Sequence, residues 1–403
     1  MEDVKVSTFS QILLWFGAAV SIAEIITGTL LAPLGLVQGM EAILLGHLIG
    51  AAILFPAGYI GAHSGLSASR SVRISFGIYG SYAFSVLNVL QLVGWTAIMI
   101  VSGAKALDGV TEVLWHMQSE AMGCLLIGGL ICLWILLGIK GLERVNIVIM
   151  ALLFASTAVL GAVVFGHMGE VLPITAESIT FGEAVELNVV MGLSWLPLIS
   201  DYTRYLRYKG MGTLGSVSGY ISGSVFMFSI GLGAAIYAGT SDISSILLAV
   251  GMGLTALLIV VLSTVTTTFL DAFSAGVSLA NLYEGLSEKW AAIAIAVIGT
   301  VMAVFISMDQ YENFLYFIGS VFAPLFAILF VDYYLLGRQT IDGACQIDMR
   351  NILLWIIGFV AYHCLVDSST IVGITLPVMM GTGILAFAVG SVSRSRAAGL
   401  DRK

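Results

Sequence analysis

Met191-Gly192-Leu193-Ser194-Trp195-Leu196-Pro197-Leu198-Ile199-Ser200-Asp201-Tyr202-Thr203-Arg204-Tyr205 is the stretch whose reading decides the fold. It belongs to an apolar run of the length that crosses a bilayer, about 20 residues for about 30 Å of hydrocarbon. Pro197 has no N–H to return to the Leu193 carbonyl, and Gly192 is a poor helix residue, so the helix is expected to open there. Irregular backbone at membrane depth is tolerated only where it is buried in protein or lines a cavity. Backbone from Gly192 to Ser194 is therefore expected to face a cavity, with a simple packing kink as the plainer alternative. The Asp201–Tyr205 end reaches the membrane boundary and reads as an anchor or gate.

A second run, Trp15-Phe16-Gly17-Ala18-Ala19-Val20-Ser21-Ile22-Ala23-Glu24-Ile25-Ile26-Thr27-Gly28, has the same character. Gly17, Ser21 and Gly28 weaken helix continuity around an acid, and free carbonyls there suit a cation. An acid near the middle of a membrane helix costs about 3 kcal/mol on insertion scales. Glu24 therefore reads as a group for substrate or a proton, against the plainer role of capping a helix fragment or pairing with a buried polar group. Interrupted spans at corresponding positions of two halves point to an inverted-repeat transporter, with substrate and coupling ion near the midplane.

Composition agrees with a membrane protein. The 403 residues are 59% hydrophobic and 10% charged, with a mean hydropathy of +1.03, far outside the soluble range. Twelve spans are expected, near 11–33, 40–61, 76–104, 120–139, 146–166, 185–203, 214–238, 252–280, 290–307, 313–336, 350–366 and 370–392. Asp242–Gly251 is expected to form a short interfacial helix. With the amino terminus inside, fifteen of the sixteen Lys and Arg fall on the cytoplasmic side and Lys105 lies outside, a strong positive-inside bias. The formal charge of -8 says less than this distribution. Met1–Ser10 lacks a basic n-region and a cleavage site, so the first apolar run is expected to be a retained span. Cys124, Cys132, Cys345 and Cys364 have no paired spacing and read as packing residues.

Other polar groups are set inside the spans. Ser263-Thr264-Val265-Thr266-Thr267-Thr268-Phe269-Leu270-Asp271 carries a hydroxyl cluster and a third-quarter acid, with Thr267 and Asp271 on one helix face. Gln91 and Trp95 are also i,i+4 neighbours, beside Gly94. An indole that stacks and an amide that reads a donor/acceptor edge suit a flat heteroaromatic; interhelical glue by Gln91 and an interfacial Trp95 is an equal alternative. His47 and His363 read first as interhelical hydrogen-bonding groups and second as proton carriers.

These segments carry a resemblance. Ser200-Asp201-Tyr202-Thr203-Arg204-Tyr205, Gln91 with Gly94-Trp95, Ala323-Pro324 leading to Val331-Asp332-Tyr333-Tyr334, and Thr266-Thr267 followed by an acid and Phe273-Ser274-Ala275 resemble the nucleobase:cation symporter-1 family, in its branch of bacterial cytosine and hydroxymethylpyrimidine permeases. The likeness covers essentially the whole chain. It implies an all-α membrane protein of the LeuT type, a single domain over 1–403. Residues 11–166 and 185–336 would be two inverted five-helix repeats, and 350–392 two additional helices. It implies uptake of a small heteroaromatic by cation symport, with no organic cofactor. Carried over by position, the substrate site falls on Glu24, Gln91, Trp95, Gly192, Ser194 and Asp271. The cation site, for Na+, falls on Gly17, Val20, Ser263, Thr266 and Thr267, an all-oxygen set that suits a hard ion. Cytosine permeases tend to have an amide where this chain has Asp271, and a small polar residue at Glu24. A carboxylate accepts hydrogen bonds only, which favours an aminopyrimidine such as hydroxymethylpyrimidine, the thiamin precursor.

Three readings stay open at this point: Na+-driven uptake of such a base, a cytosine, purine or other nucleobase permease driven by Na+ or H+, and, far less favoured, an intramembrane enzyme using Glu24 and Asp271. Neither HExxH nor GxGD occurs. The expected partners are the solute and membrane lipid, with no nucleic acid and no obligate protein. Placement in the inner membrane with both termini cytoplasmic has a direct check. Reporter fusions at residue 5 and after 392 are expected to report the cytoplasm, and one near Lys105 the outside.

Overall fold

The computed structural model describes residues 5–166, 178–239, 253–283, 285–305, 311–366, 368 and 370–400. Among them the secondary structure is helical, apart from an isolated bridge between Val6 and Leu206. The helices are α1 (Thr8–Ala19), α2 (Ile22–Leu30), α3 (Gly35–Ser64), α4 (Ala68–Ser71), α5 (Arg73–Trp115), α6 (Glu120–Gly166), α7 (Phe181–Leu193) and α8 (Leu196–Thr203). They continue with α9 (Lys209–Ala238), α10 (Gly253–Leu282), α11 (Glu288–Ala303), α12 (Tyr311–Phe330), α13 (Met349–Leu365) and α14 (Thr375–Leu400). By length and composition, six described helical runs are long and apolar enough to cross a membrane.

Both expected interruptions are present. The first span leaves the helix at Val20 (ψ 77°) and Ser21 (φ -134°, ψ 156°), and α2 restarts at Ile22 with Ser21 as its cap. The sixth opens at Ser194–Trp195 between α7 and α8, where Pro197 takes a first-turn position that needs no N–H.

Three differences from the sequence reading have physical causes. The break expected between 120–139 and 146–166 does not interrupt α6, a single helical run of 47 residues, about 70 Å at 1.5 Å per residue. The intervening segment has no proline, and each of its glycines costs only about 1 kcal/mol, too little to end a helix. The third span contains an unforeseen interruption at Gly77, whose φ of 74° suits glycine alone. The loop before α13 satisfies that interruption: Ile78 and Tyr79 donate to the Cys345 and Gln346 carbonyls, at 3.3 and 2.9 Å. The tenth span ends in a π-helical turn, Val331–Leu335. The interfacial helix expected at Asp242–Gly251 lies outside the described residues.

α9 is the post against which α1, α2 and α3 pack, while α10 packs on α5 and α11. The α2–α9 seam depends on glycine. A Cβ at Gly231 would overlap the Ile25 carbonyl oxygen, and one at Gly28 would overlap backbone of Phe228. Main chains approach this closely only where side chains are absent. Gly231→Ala is expected to destabilise the protein by about 1–3 kcal/mol through overpacking. Gly210→Ala, at an open position of the same helix, is expected to have no such effect; thermal unfolding of both variants in detergent checks the difference.

Candidate substrate and cation site

The two broken spans meet at one small cavity. Ser21, Ala23 and Glu24 line it from the first, Met191, Ser194 and Trp195 from the sixth, Trp95 and Met99 from α5, and Thr267 and Asp271 from α10. Its free volume is about 20 Å³, room for roughly one water. A pyrimidine ring enters only when these walls separate.

Each break is held by side chains reaching in from another helix. Gln91 Nε2 donates to the Ser194 carbonyl at 2.9 Å, and Asn88 Nδ2 donates to the Pro197 carbonyl at 3.2 Å. Without Gln91 the Ser194 carbonyl, which the break releases, would lie unpaired in a buried setting. The expected anchoring role of Asp201–Tyr205 is visible in its contacts. Asp201 Oδ1 accepts the Ala68 N–H at 2.9 Å, Tyr202 OH donates to the Leu270 carbonyl at 3.0 Å, and Thr203 Oγ1 donates to the Gly58 carbonyl at 2.8 Å. One of these ties lands on the residue before Asp271.

Four of the six residues expected at the substrate site line the cavity: Glu24, Trp95, Ser194 and Asp271. Gln91 is buried behind Trp95, with its amide N–H groups on Ser194 and Asn88 and its Oε1 without a hydrogen-bond partner. Gly192 packs near Gly50 and Tyr220. Two polar groups of Trp95 and Asp271 are uncommitted. Trp95 Nε1 is buried with no hydrogen-bond partner, and among the described residues no donor is hydrogen-bonded to the Asp271 carboxyl. Trp95 stands edge-on to Tyr311 and Phe314, with ring centroids 6.1 and 5.5 Å away.

Glu24 is placed differently. Its Oε1 accepts from Tyr220 OH at 3.0 Å and its Oε2 lies 2.5 Å from Ser224 Oγ, both on α9. Ser224 Oγ is also 2.6 Å from His47 Nε2, on α3. His47 is thus an interhelical hydrogen-bonding group, the first of the two roles expected for it.

Among the residues expected to hold a cation, Thr267 lines the cavity, and its Oγ1 donates to the Ala18 carbonyl at 3.3 Å, joining α10 to the first break. Thr266 Oγ1 is turned onto its own helix, toward the Leu262 and Ser263 carbonyls at 2.8 and 3.1 Å. Gly17, Val20 and Ser263 are buried on these stretches, where α1 packs against α10. Carbonyl and hydroxyl oxygens are the donors this junction offers, as a hard cation requires.

Trp195, Met99, Ser21 and Met191 are cavity residues that the sequence reading missed. Trp195 was legible as the aromatic residue inside the expected break. It stands edge-on to Trp15 and Tyr220, with centroids 5.2 and 5.8 Å away. Met99 follows Trp95 by one turn and so shares its face, but an apolar residue in an apolar run carries no signal of its own.

Comparison with known proteins bears on the family and the fold. The family model described as permease for cytosine/purines, uracil, thiamine, allantoin matches residues 2–390. The cytosine permease of Escherichia coli K12 is 26% identical over 369 residues, 89% of this chain and 83% of that protein. Mhp1, a nucleobase-cation-symport-1 family transporter solved in a closed conformation with bromovinylhydantoin bound, superposes with a TM-score of 0.81 at 18% identity, covering 96% of this chain and 92% of that one. A Na+-coupled sialic acid symporter in an outward-open state gives 0.69 at 12% identity, covering 96% and 90%. The architecture is the all-α LeuT-type fold of a multi-pass membrane transporter, and the related proteins are permeases, not enzymes. By the match over nearly its whole length, the chain belongs to the cytosine/purine, uracil, thiamine and allantoin permease family, the nucleobase:cation symporter-1 family.

Proposed function

We propose that the protein imports hydroxymethylpyrimidine, or a close aminopyrimidine, by symport with a cation, Na+ foremost, across the inner membrane. The observation that carries this reading is the pair of uncommitted groups on one cavity, the Asp271 carboxyl and the Trp95 indole. An ionised carboxylate accepts from an exocyclic amine and from a ring N–H, and the indole offers a stacking face and one N–H donor. Ser194, at the span-six break, borders the same space. One relative is named for cytosine and one neighbour holds a hydantoin, both small nitrogen heterocycles with ring carbonyls and N–H groups.

In this reading Na+ is held where Thr267 meets the first break, with Gly17, Val20, Ser263 and Thr266 completing the oxygen set. Residues 11–166 and 185–336 act as the two inverted repeats, with 350–392 appended. Ion and base then share the α10 wall, Thr267 and Asp271 being one helical turn apart. Binding of either restricts the wall that the other needs, which is the physical basis for coupling them. The cavity alternates between sides as the broken spans move relative to α5 and α10.

Uptake of radiolabelled hydroxymethylpyrimidine into proteoliposomes tests the reading. Accumulation is expected to require an inward Na+ gradient, and Thr267→Ala is expected to raise the Na+ concentration needed for half-maximal uptake. Equal accumulation with no ion gradient excludes symport, and dependence on a proton gradient alone moves the coupling ion to H+. Asp271→Asn exchanges a charged acceptor for a neutral amide. It is expected to weaken hydroxymethylpyrimidine competition about 10- to 100-fold, the scale of one charge-assisted hydrogen bond. Cytosine, whose ring carbonyl can accept from the introduced amide N–H, is expected to suffer less, and stronger displacement by purines or hydantoins would reassign the substrate.

A further inference from the structure

Hydrogen counting along Glu24, Ser224 and His47 leads to a second ionic site on this cavity. His47 Nδ1 lies 2.8 Å from the Ile43 carbonyl oxygen. A carbonyl only accepts, so Nδ1 carries a hydrogen and donates it. In a neutral imidazole Nε2 then has none. Two short contacts follow in series, His47 Nε2 to Ser224 Oγ at 2.6 Å and Ser224 Oγ to Glu24 Oε2 at 2.5 Å. Each needs one hydrogen, and the serine hydroxyl supplies one. The Tyr220 hydrogen does not help, because it is directed to Oε1, 3.0 Å away. The second hydrogen must sit on Oε2, as a carboxylic acid, or on Nε2, as an imidazolium.

We propose that Glu24, Ser224 and His47 form a proton-binding site on the transport cavity, holding one dissociable proton that belongs to the acid–imidazole pair. The two placements, acid with neutral imidazole or carboxylate with imidazolium, differ by a shift of one proton at each end of the Ser224 hydroxyl. Both satisfy both contacts. Removal of the proton leaves two acceptors facing one hydroxyl hydrogen, so one contact must lengthen. Backbone cannot relieve it easily: Gly28 and Gly231 let α2 and α9 touch main chain to main chain, which fixes the spacing of Glu24 and Ser224. Other titratable groups facing Glu24 are the phenols of Tyr220 and Tyr311, with Asp271 on the α10 wall of the same cavity. Glu312 lies beyond Tyr311. Loss of the proton therefore adds a negative charge to a wall that already carries an acid, and favours entry of a cation. The site does not depend on which base is carried.

Infrared titration of the full chain in liposomes tests this without any substrate. Glu24 contributes either a protonated-carboxyl band or a carboxylate band, identified by its loss in Glu24→Gln after subtraction of Asp271→Asn. His47 is followed through labelled histidine, with His47→Gln as its reference. The expected result is a single one-proton step in which carboxyl and imidazole signals change together. Ser224→Ala keeps both titrating groups and removes the bridge, so it is expected to split that step into two; it serves alone if Glu24→Gln fails to elute as a folded species. Independent carboxyl and imidazole steps in the parent chain, or a Ser224→Ala titration identical to the parent's, overturn the proposal.

Discussion

Hydrocarbon offers no hydrogen-bond partner, so every backbone group released by a broken membrane helix must be met by protein. The site is built around that constraint. At the sixth span the released Ser194 carbonyl is met by the Gln91 amide, and Asn88 adds a bond to the Pro197 carbonyl at the start of α8. Both donors stand on α5, which also supplies Trp95. The helix that repairs the break is thus the helix that carries an aromatic wall of the cavity. At the first span Ser21 caps α2, and Thr267 of α10 reaches the Ala18 carbonyl. The Gln91 and Thr267 repairs each tie a broken span to another helix at the cavity.

Close packing confines the consequence. α1, α2 and α3 all lie against α9, and the Gly28–Gly231 seam brings two main chains together where a methyl group would collide. Helices in such contact shift only with large rearrangement. Contacts between α2 and α5, by comparison, are sparse. Relative motion is therefore easier at the cavity, where ordinary side chains meet, than inside the α2–α9 unit. That is the mechanical difference alternating access requires.

Pro197 and Glu24 made both broken spans readable, because a proline and a buried acid are costly in a membrane helix and cannot be packing accidents of composition. Asp271 was readable for the same reason, and Trp95 from its i,i+4 spacing with Gln91. What escaped was whatever carried no cost. Met99 and Met191 are apolar among apolar residues. The run through 140–145 stays helical because its glycines are merely poor helix formers. The interruption at Gly77 depends on the loop at Cys345–Gln346, far along the chain. Gln91 shows a third case: its type and spacing identified a polar face, but whether an amide reads a ligand or a neighbouring carbonyl depends on where Ser194 comes to rest.

Cost also separates the two acids of the cavity. Glu24 has both oxygens engaged, by Tyr220 and by Ser224 backed by His47, all from α3 and α9. A new donor reaching Glu24 must compete with bonds already made, and gains only the difference. Asp271 has no such bond among the described residues, so an incoming donor gains its full interaction while ending the carboxyl's isolation. Two acids of equal intrinsic chemistry are thereby fitted to unlike tasks by their neighbours. The α2 wall holds a group whose charge is governed by the helices behind it, and the α10 wall holds one whose partner must come from the cavity.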